Sequence, residues 1–434
     1  MSDPIRVMIC DDSAVMRRLI KTALKIDPEL EVICEAKHGQ DALGKMFDAR
    51  PDLVVMDVEM PVMDGIEAVR EIRKRSTTLP IIMFSSLTSR GAELTLDAIE
   101  AGASDFSCKP ANAGRIEAAL AQVQGDLIPK IHQWVQRKSK SKTTNVGLQA
   151  SRLSLPPAGN TPAATEENES TQTKVEAPKL APRTGASGSP PQSKPLANRP
   201  TQARTPIGKP TNGTLDRASK TTGGGSGGRQ GAGVSLAGGS VAVVTVAVST
   251  GGPQALAELI KGLPIDLRVP ILIAQHMPPV FTGMLAERLA AHKGHRVREA
   301  KHGEEICAGD ILIAPGDYHM VVARENKTYV VHLNQDPPEN SCRPAADPLF
   351  RSVAQTFGRK AMGIVLTGMG KDGAQGADIL KKSGATIVAQ DEESSVVWGM
   401  PGCIVQAGLA DTVLPLDQIA AEIVRVTESK HAPV

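Results

Sequence analysis

Aromatic residues make up only 2% of this 434-residue sequence, as six Phe, two Tyr and two Trp. That scarcity excludes a nucleic-acid platform built on stacked rings. No Cys-x-x-Cys pair occurs. The six cysteines, Cys10, Cys34, Cys108, Cys307, Cys342 and Cys403, are scattered and read as reduced thiols in small core positions, not as metal ligands or a disulfide framework. Apolar runs stay short of the roughly 20 residues that span a bilayer. The amino terminus lacks the basic-then-apolar layout of a signal peptide, so a cytoplasmic location is expected. Net charge is nearly absent too, at a formal +2. With no helix-turn-helix pattern and no basic recognition helix, no nucleic-acid partner is expected.

What is present is enough apolar residue, 41%, and enough length for two or three domains with cores of their own. Residues 1 to about 130 alternate short apolar runs (Arg6–Cys10, Glu31–Ala36, Leu53–Met56, Ile81–Phe84, Ala103–Phe106) with helical patterns such as Met16–Ile26, capped by Ser13, and Gly65–Arg73. This rhythm predicts a five-stranded, doubly wound α/β domain. Polar residues collect at the expected strand ends: Asp11 and Asp12, then Asp57, then Ser85 and Ser86, then Lys109 before Pro110. Three carboxylates at one sheet edge repel unless a cation sits among them, and hard oxygen donors suit Mg²⁺. A carboxylate beside Mg²⁺ and a lysine can attack a phosphoryl donor, because both cations neutralise the transferred group. The alternative for any one aspartate is a solvated acidic edge.

Asp11-Asp12, Asp57, the run Met60-Pro61-Val62-Met63-Asp64-Gly65, Ser85, Phe106 and Lys109-Pro110 resemble the signature of response-regulator receiver domains. The resemblance implies phosphorylation at Asp57. It also implies Mg²⁺ held by Asp11, Asp12, Asp57 and the main-chain carbonyl of Glu59, with Ser85, Phe106 and Lys109 as switch positions.

From about Arg137 to Arg229 Pro, Ser, Thr, Gly, Ala, Lys and Arg dominate, and no aromatic occurs between Trp134 and Phe281. Such a stretch cannot bury enough apolar surface to offset its ordering entropy. It is expected to be a disordered linker, spanning roughly 50–60 Å as a coil of ~90 residues. Its 15 Lys or Arg against 5 Asp or Glu either attract an acidic surface or simply stay solvated.

Beyond it, Val241–Val248 is an apolar run that stops at Ser249-Thr250-Gly251-Gly252-Pro253. A buried strand followed by a turn and a helix is expected, with Ser249 at the crevice edge where parallel sheets bind ligands. Ser249 is there either a nucleophile or a helix N-cap. Further strands are expected at Val269–Ala274, Asp310–Ala314, Met362–Thr367 and Ala385–Ala389. The runs His319–Ala323 and Tyr329–His332 should form an antiparallel hairpin on an otherwise parallel sheet. Strand ends then bring together Ser249, His276 and Asp372, the hydroxyl, imidazole and carboxylate that acyl transfer needs. His319 is a rival for the imidazole and Asp391 for the carboxylate, while His292, His295 and His302 are expected at the surface. Gly368, Gly370 and Gly373 allow close backbone approach, so Met369 N–H is the expected oxyanion donor, with Thr250 beside it.

Ala247-Val248-Ser249-Thr250-Gly251-Gly252, Gln275-His276-Met277-Pro278-Pro279, Leu366 to Gly373 and Ser395 to Gly402 resemble the chemotaxis-receptor methylesterase and deamidase family. This resemblance implies Ser249 as nucleophile, His276 as base and Asp372 as its orienting carboxylate, with no cofactor in that domain. It further implies that methyl-accepting chemotaxis receptors are substrates (the only route to a membrane) and that a chemotaxis-type histidine kinase is the phosphodonor. An unphosphorylated receiver would cover the crevice. Two departures stand out: Ala247-Val248-Ser249 where Gly-Ala-Ser is usual, and a linker longer than the family's. The expected fold is thus α/β throughout. A flavodoxin-like receiver (1–130) and a parallel-sheet serine esterase domain with a hairpin (236–434) are joined by a linker (131–235).

Overall fold

A computed structural model describes residues 3–110, 116–150, 241–291 and 294–428, with only the backbone of 137–150. Of the expected linker, residues 151–235 lie outside the described residues. The first domain runs β1 (Ile5–Cys10), α1 (Ala14–Leu24), β2 (Leu30–Ala36), α2 (Gly39–Ala49), β3 (Leu53–Asp57), α3 (Gly65–Arg73), β4 (Ile81–Ser85), α4 (Ser89–Glu100), β5 (Asp105–Cys108) and α5 (Ile116–Ala150). Its five strands are parallel, in the order β2-β1-β3-β4-β5. β3 and β4 are buried along their whole length, as expected of central strands covered by helices on both faces. Ser13 caps α1 by accepting from Met16 N. Strand β5 starts two residues later than the apolar run suggests, because Ala103 N still closes the α4 terminus on Ala98 O. Helix α5 continues through the boundary expected at residue 130.

The second domain runs β6 (Val243–Val248), α6 (Gly252–Gly262), β7 (Ile271–Gln275), α7 (Phe281–Ala290), β8 (Arg296–Glu299), β9 (Asp310–Ile313), β10 (His319–Glu325), β11 (Thr328–Asn334), α8 (Ala346–Phe357), β12 (Ala361–Val365), α9 (Ala374–Lys382), β13 (Thr386–Gln390), α10 (Met400–Gln406), β14 (Thr412–Leu414) and α11 (Leu416–Glu428). Seven parallel strands form the order β14-β13-β12-β6-β7-β9-β8. The hairpin β10–β11 is antiparallel as expected, but it forms a separate two-stranded sheet instead of extending the main one. Strands β8 and β14 had no apolar signature. β8 reads Arg-Val-Arg-Glu and β14 has three residues, both at sheet edges where one side needs no burial.

Candidate functional site

Strands β12, β6 and β7 lie side by side, and their carboxyl ends carry the expected polar residues. Two backbone bonds extend the ladder past the strands: Ser249 N donates to Thr367 O at 3.0 Å and His276 N to Val248 O at 3.1 Å. Ser249 and His276 therefore leave the sheet as neighbours. Helix α6 is capped by Gly251 at φ +77° with no side-chain cap bond, so Ser249 is not its N-cap. Gly252 is required for space: a Cβ there would sit 1.9 Å from Gln275 Oε1. The buried Gln275 amide donates to Ser249 O at 3.1 Å and to His276 O at 3.4 Å, bracing the two backbones. Gln275 lies in the motif with His276, but its bracing role exists only through these contacts.

His276 Nε2 lies 2.7 Å from Asp372 Oδ2. The buried Asp372 also accepts from Ala346 N at 2.6 Å and Asp347 N at 3.2 Å. These are the first free N–H groups of α8, whose own cap residue, Ala345, offers no side-chain bond. Asp372 thus serves as the acceptor at that helix terminus, where partial positive charge favours an anion. Burial alone would raise the Asp372 pKa, but His276 and these N–H groups hold it below the usual carboxylate range. For His276, burial pulls the imidazole pKa down, and bonding to Asp372 and to the Cys342 thiol more than reverses this, leaving it raised.

His319, the rival base, is buried and committed to the backbone. Its Nδ1 accepts from Ala345 N at 3.2 Å, which leaves Nε2–H to donate to Pro337 O at 3.2 Å. Asp391, the rival carboxylate, accepts from Ser394 N and Oγ in its own turn. His295 is buried at 6% exposure, against the expectation of a surface residue. His302 is exposed, and His292 lies outside the described residues. The Gly368–Met369 backbone is pressed onto Ser249, since a Cβ on Gly368 would lie 2.8 Å from Ser249 Cβ. Thr250 is buried and its carbonyl accepts from Thr367 Oγ1 at 2.9 Å.

In the first domain, carboxylate oxygens of Asp11, Asp12 and Asp57 lie within 4.8 Å of one another. Lys109 Nζ sits 2.7 Å from Asp57 Oδ2 and 3.0 Å from Asp11 Oδ2. The Asp11 oxygen is ion-paired yet receives no well-directed hydrogen bond, so it has coordination to spare. Burial, then the neighbouring Asp11 charge, raises the Asp57 pKa to about 6 against the pull of Lys109. A buried carboxylate set with surplus negative charge and an unfilled acceptor fits a hard divalent cation. The side chain of Glu59 pairs with Arg90 at 2.9 Å. The Ser85 hydroxyl donates to Gly91 O at 3.0 Å, away from the acid cluster.

The two domains share a packed face. Phe106 of β5 stacks on Phe281 of α7. Arg288 of α7 pairs with Asp97 at 2.5 Å and Glu100 at 3.1 Å on α4 and donates to Glu93 O at 2.8 Å. Phe281 carries no sequence signal beyond being apolar; only packing marks it.

Residues 244–423 match the CheB methylesterase family and residues 7–121 the response regulator receiver domain. A protein-glutamate methylesterase/protein-glutamine glutaminase of Trichodesmium erythraeum is 39% identical over 420 residues, covering 97% of this chain and 98% of the relative. One so named from a Nocardioides species is 40% identical over 421 residues, covering 97% and 95%. The solved catalytic domain of Thermotoga maritima CheB methylesterase, at 39% identity, covers 43% of this chain and 100% of that one, with a TM-score of 0.43. Both of these relatives align with this chain over nearly their whole length.

Proposed function

This chain belongs to the CheB methylesterase family, and from that premise we propose how it performs its reaction. It is a protein-glutamate methylesterase and protein-glutamine glutaminase with a receiver domain that places it under phosphorylation control. The observation that carries the reading is the 2.7 Å bond between His276 and Asp372, at strand ends adjoining that of Ser249.

Ser249 Oγ attacks the γ-carbonyl carbon of a glutamate methyl ester, and His276 takes its proton at the ring nitrogen not held by Asp372. Asp372 fixes the imidazole and stabilises the imidazolium. The tetrahedral oxyanion is met by backbone N–H groups, with Met369 N–H the favoured donor because its chain segment is pressed onto Ser249. Collapse breaks the ester C–O bond, and His276 returns the proton to the leaving methanol. Water, deprotonated by His276, then releases the glutamate carboxylate from Ser249. With a glutamine side chain the same sequence expels ammonia.

In the receiver, Asp57 is the phosphoryl acceptor. Asp11, Asp12 and Asp57 would hold Mg²⁺, with the Glu59 carbonyl as further ligand, and a bound ion would supply positive charge to the transferred phosphoryl oxygens. Lys109 already sits where it can pair with one of them. The substrates are methyl-accepting chemotaxis receptors, of motility or another signalling cluster, and the phosphodonor is a chemotaxis-type histidine kinase. No helix among the described residues is long and apolar enough to cross a membrane, and a cytoplasmic enzyme that meets the membrane through its receptors fits this role. The unphosphorylated receiver holds α7, which begins five residues after His276, through Phe281 and Arg288. Phosphorylation of Asp57 shifts the population toward a form that frees the crevice.

Methanol release from methylated receptor, with and without a small phosphodonor, tests this. Wild type should release methanol and be stimulated, whereas Ser249→Ala should lose about a thousandfold or more. Equal rates for the two proteins would instead support a non-catalytic signalling adaptor.

A further inference from the structure

We propose that Asn340 is a positioning residue for hydrolysis: its side-chain amide bridges Asp372 to a second buried carboxylate, Asp347, and thereby sets how firmly Asp372 holds the proton on His276. The proposal rests on Ser249, His276 and Asp372 being the reacting group.

The four acceptor directions of Asp372 are divided evenly. Oδ2 faces His276 Nε2 at 2.7 Å and Ala346 N at 2.6 Å, and Oδ1 faces Asp347 N at 3.2 Å and Asn340 Nδ2 at 2.9 Å. The two backbone donors are fixed by α8. Asn340 is the variable one. Its Nδ2 also lies 3.0 Å from Asp347 Oδ2, while the other Asp347 oxygen accepts from Gly376 N at 2.7 Å. Asp347 and Asp372 are each 1% exposed. Two carboxylates this close need donors for both, and a primary amide has two N–H groups and no charge. A lysine would neutralise Asp372 outright and free the imidazole from its partner. An aspartate would add a third negative charge.

The backbone is shaped for this contact. Asn340 and Ser341 both have positive φ, +51° and +63°, a conformation that asparagine tolerates better than most residues. Reciprocal bonds between Glu339 and Cys342 close the turn at 2.9 and 3.2 Å. Arg351 of α8 grips Glu339 through two bonds of 2.5 and 2.8 Å. One exposed turn, clamped to α8 at Glu339 and Asn340, therefore touches Asp372 through Asn340.

The groups facing the His276–Asp372 pair are Cys342 and Asn340 from the turn and Asp347 with two N–H groups from α8, with Glu339 and Arg351 behind them. Each donor to Asp372 spreads its charge and so competes with the imidazolium for it. Deleting the Asn340 amide leaves more of that charge to His276, which then keeps its proton to higher pH and is a poorer base for Ser249 at neutrality.

The test uses the full chain, saturated with phosphodonor, releasing methanol from methylated receptor across pH. Asn340→Gly removes the amide but accepts the positive φ, and Asn340→Asp keeps shape and φ while replacing the donor by a charge. Both should keep the wild-type KM within about twofold, lose about threefold or more in kcat at neutral pH, and move the acid limb of kcat/KM upward by about half a pH unit or more. The Asp variant should move it further. Asp372→Asn should move the limb the opposite way. An unmoved limb in both Asn340 variants overturns the proposal, including when kcat falls, since a merely structural defect lowers the rate without displacing the limb. Wild-type turnover by Ser249→Ala, or an unmoved limb in Asp372→Asn, sinks the underlying reading of the site instead.

Discussion

The ring of Phe106 lies flat on the ring of Phe281, with centroids 4.8 Å apart and 5° between the planes. On the receiver side, Lys130 Nζ stands 5.3 Å from the Phe106 centroid and donates to Phe106 O at 2.6 Å. A position implied as a receiver switch is thus held between a cation of its own domain and an aromatic of the hydrolase domain. Any rearrangement of β5 must be felt by α7, which follows the loop that carries His276.

That coupling is readily loosened at Arg288, whose partly exposed side chain bonds across the domain face to α4. Arg288→Ala should raise methanol release without phosphodonor by about three- to tenfold, a shift of roughly 1 kcal/mol in the population of the closed form. Stimulation by phosphodonor should narrow correspondingly. An unchanged ratio of stimulated to basal rate would separate this contact from regulation.

Replacing Asp57 with Asn should abolish stimulation by a small phosphodonor while leaving basal hydrolysis in place. Removal of divalent cations by a chelator should do the same to the wild type. Stimulation that survives either treatment would mean that the Asp11–Asp12–Asp57 cluster is not the phosphorylation site.

Gly252→Ala drives a methyl group into the Gln275 amide. Because that amide braces both Ser249 and His276, kcat should fall by more than about tenfold, with an overpacking cost of about 1–3 kcal/mol seen in the urea midpoint. Gln275→Leu should also lower kcat, by removing the donor from Ser249 O and His276 O. A fully active Gly252→Ala enzyme would show that the brace is dispensable.

Stability should depend on pH with a definite sign. His276 has its pKa raised in the folded protein, so its contribution is complete below its unfolded value near 6.5 and is lost as pH rises through the raised value. Asp372 has its pKa lowered, so its contribution is present above about 3.9 and is lost as pH falls through the lowered value. Urea midpoints should therefore decline on the alkaline side of neutrality. His276→Gln should flatten that limb; an equally steep decline in the variant would refute the assignment.

Much of this was readable along the chain. Central parallel strands are buried on both faces, so Leu53–Asp57 and Val243–Val248 announce themselves as apolar runs, and the polar residues that follow them mark the crevice. Edge strands give no such signal, which is why Arg296–Glu299 and Thr412–Leu414 were not legible. Local pattern alone leaves Ser249 open to two roles and leans towards the helix cap. Gly251 at φ +77° removes the cap, a fact of backbone geometry.

The two α/β domains, the acid cluster of the receiver and the placement of Ser249, His276 and Asp372 at strand ends are written along the chain, because burial periodicity and strand termination are local properties. That His276 and not His319 meets Asp372, that Gln275 and Asn340 contact the site, and that Phe106 finds Phe281 emerge in three dimensions alone. Those partners are separated by 96 residues in the case of His276 and Asp372, and no local propensity encodes which distant side chains a sheet edge will bring within bonding distance.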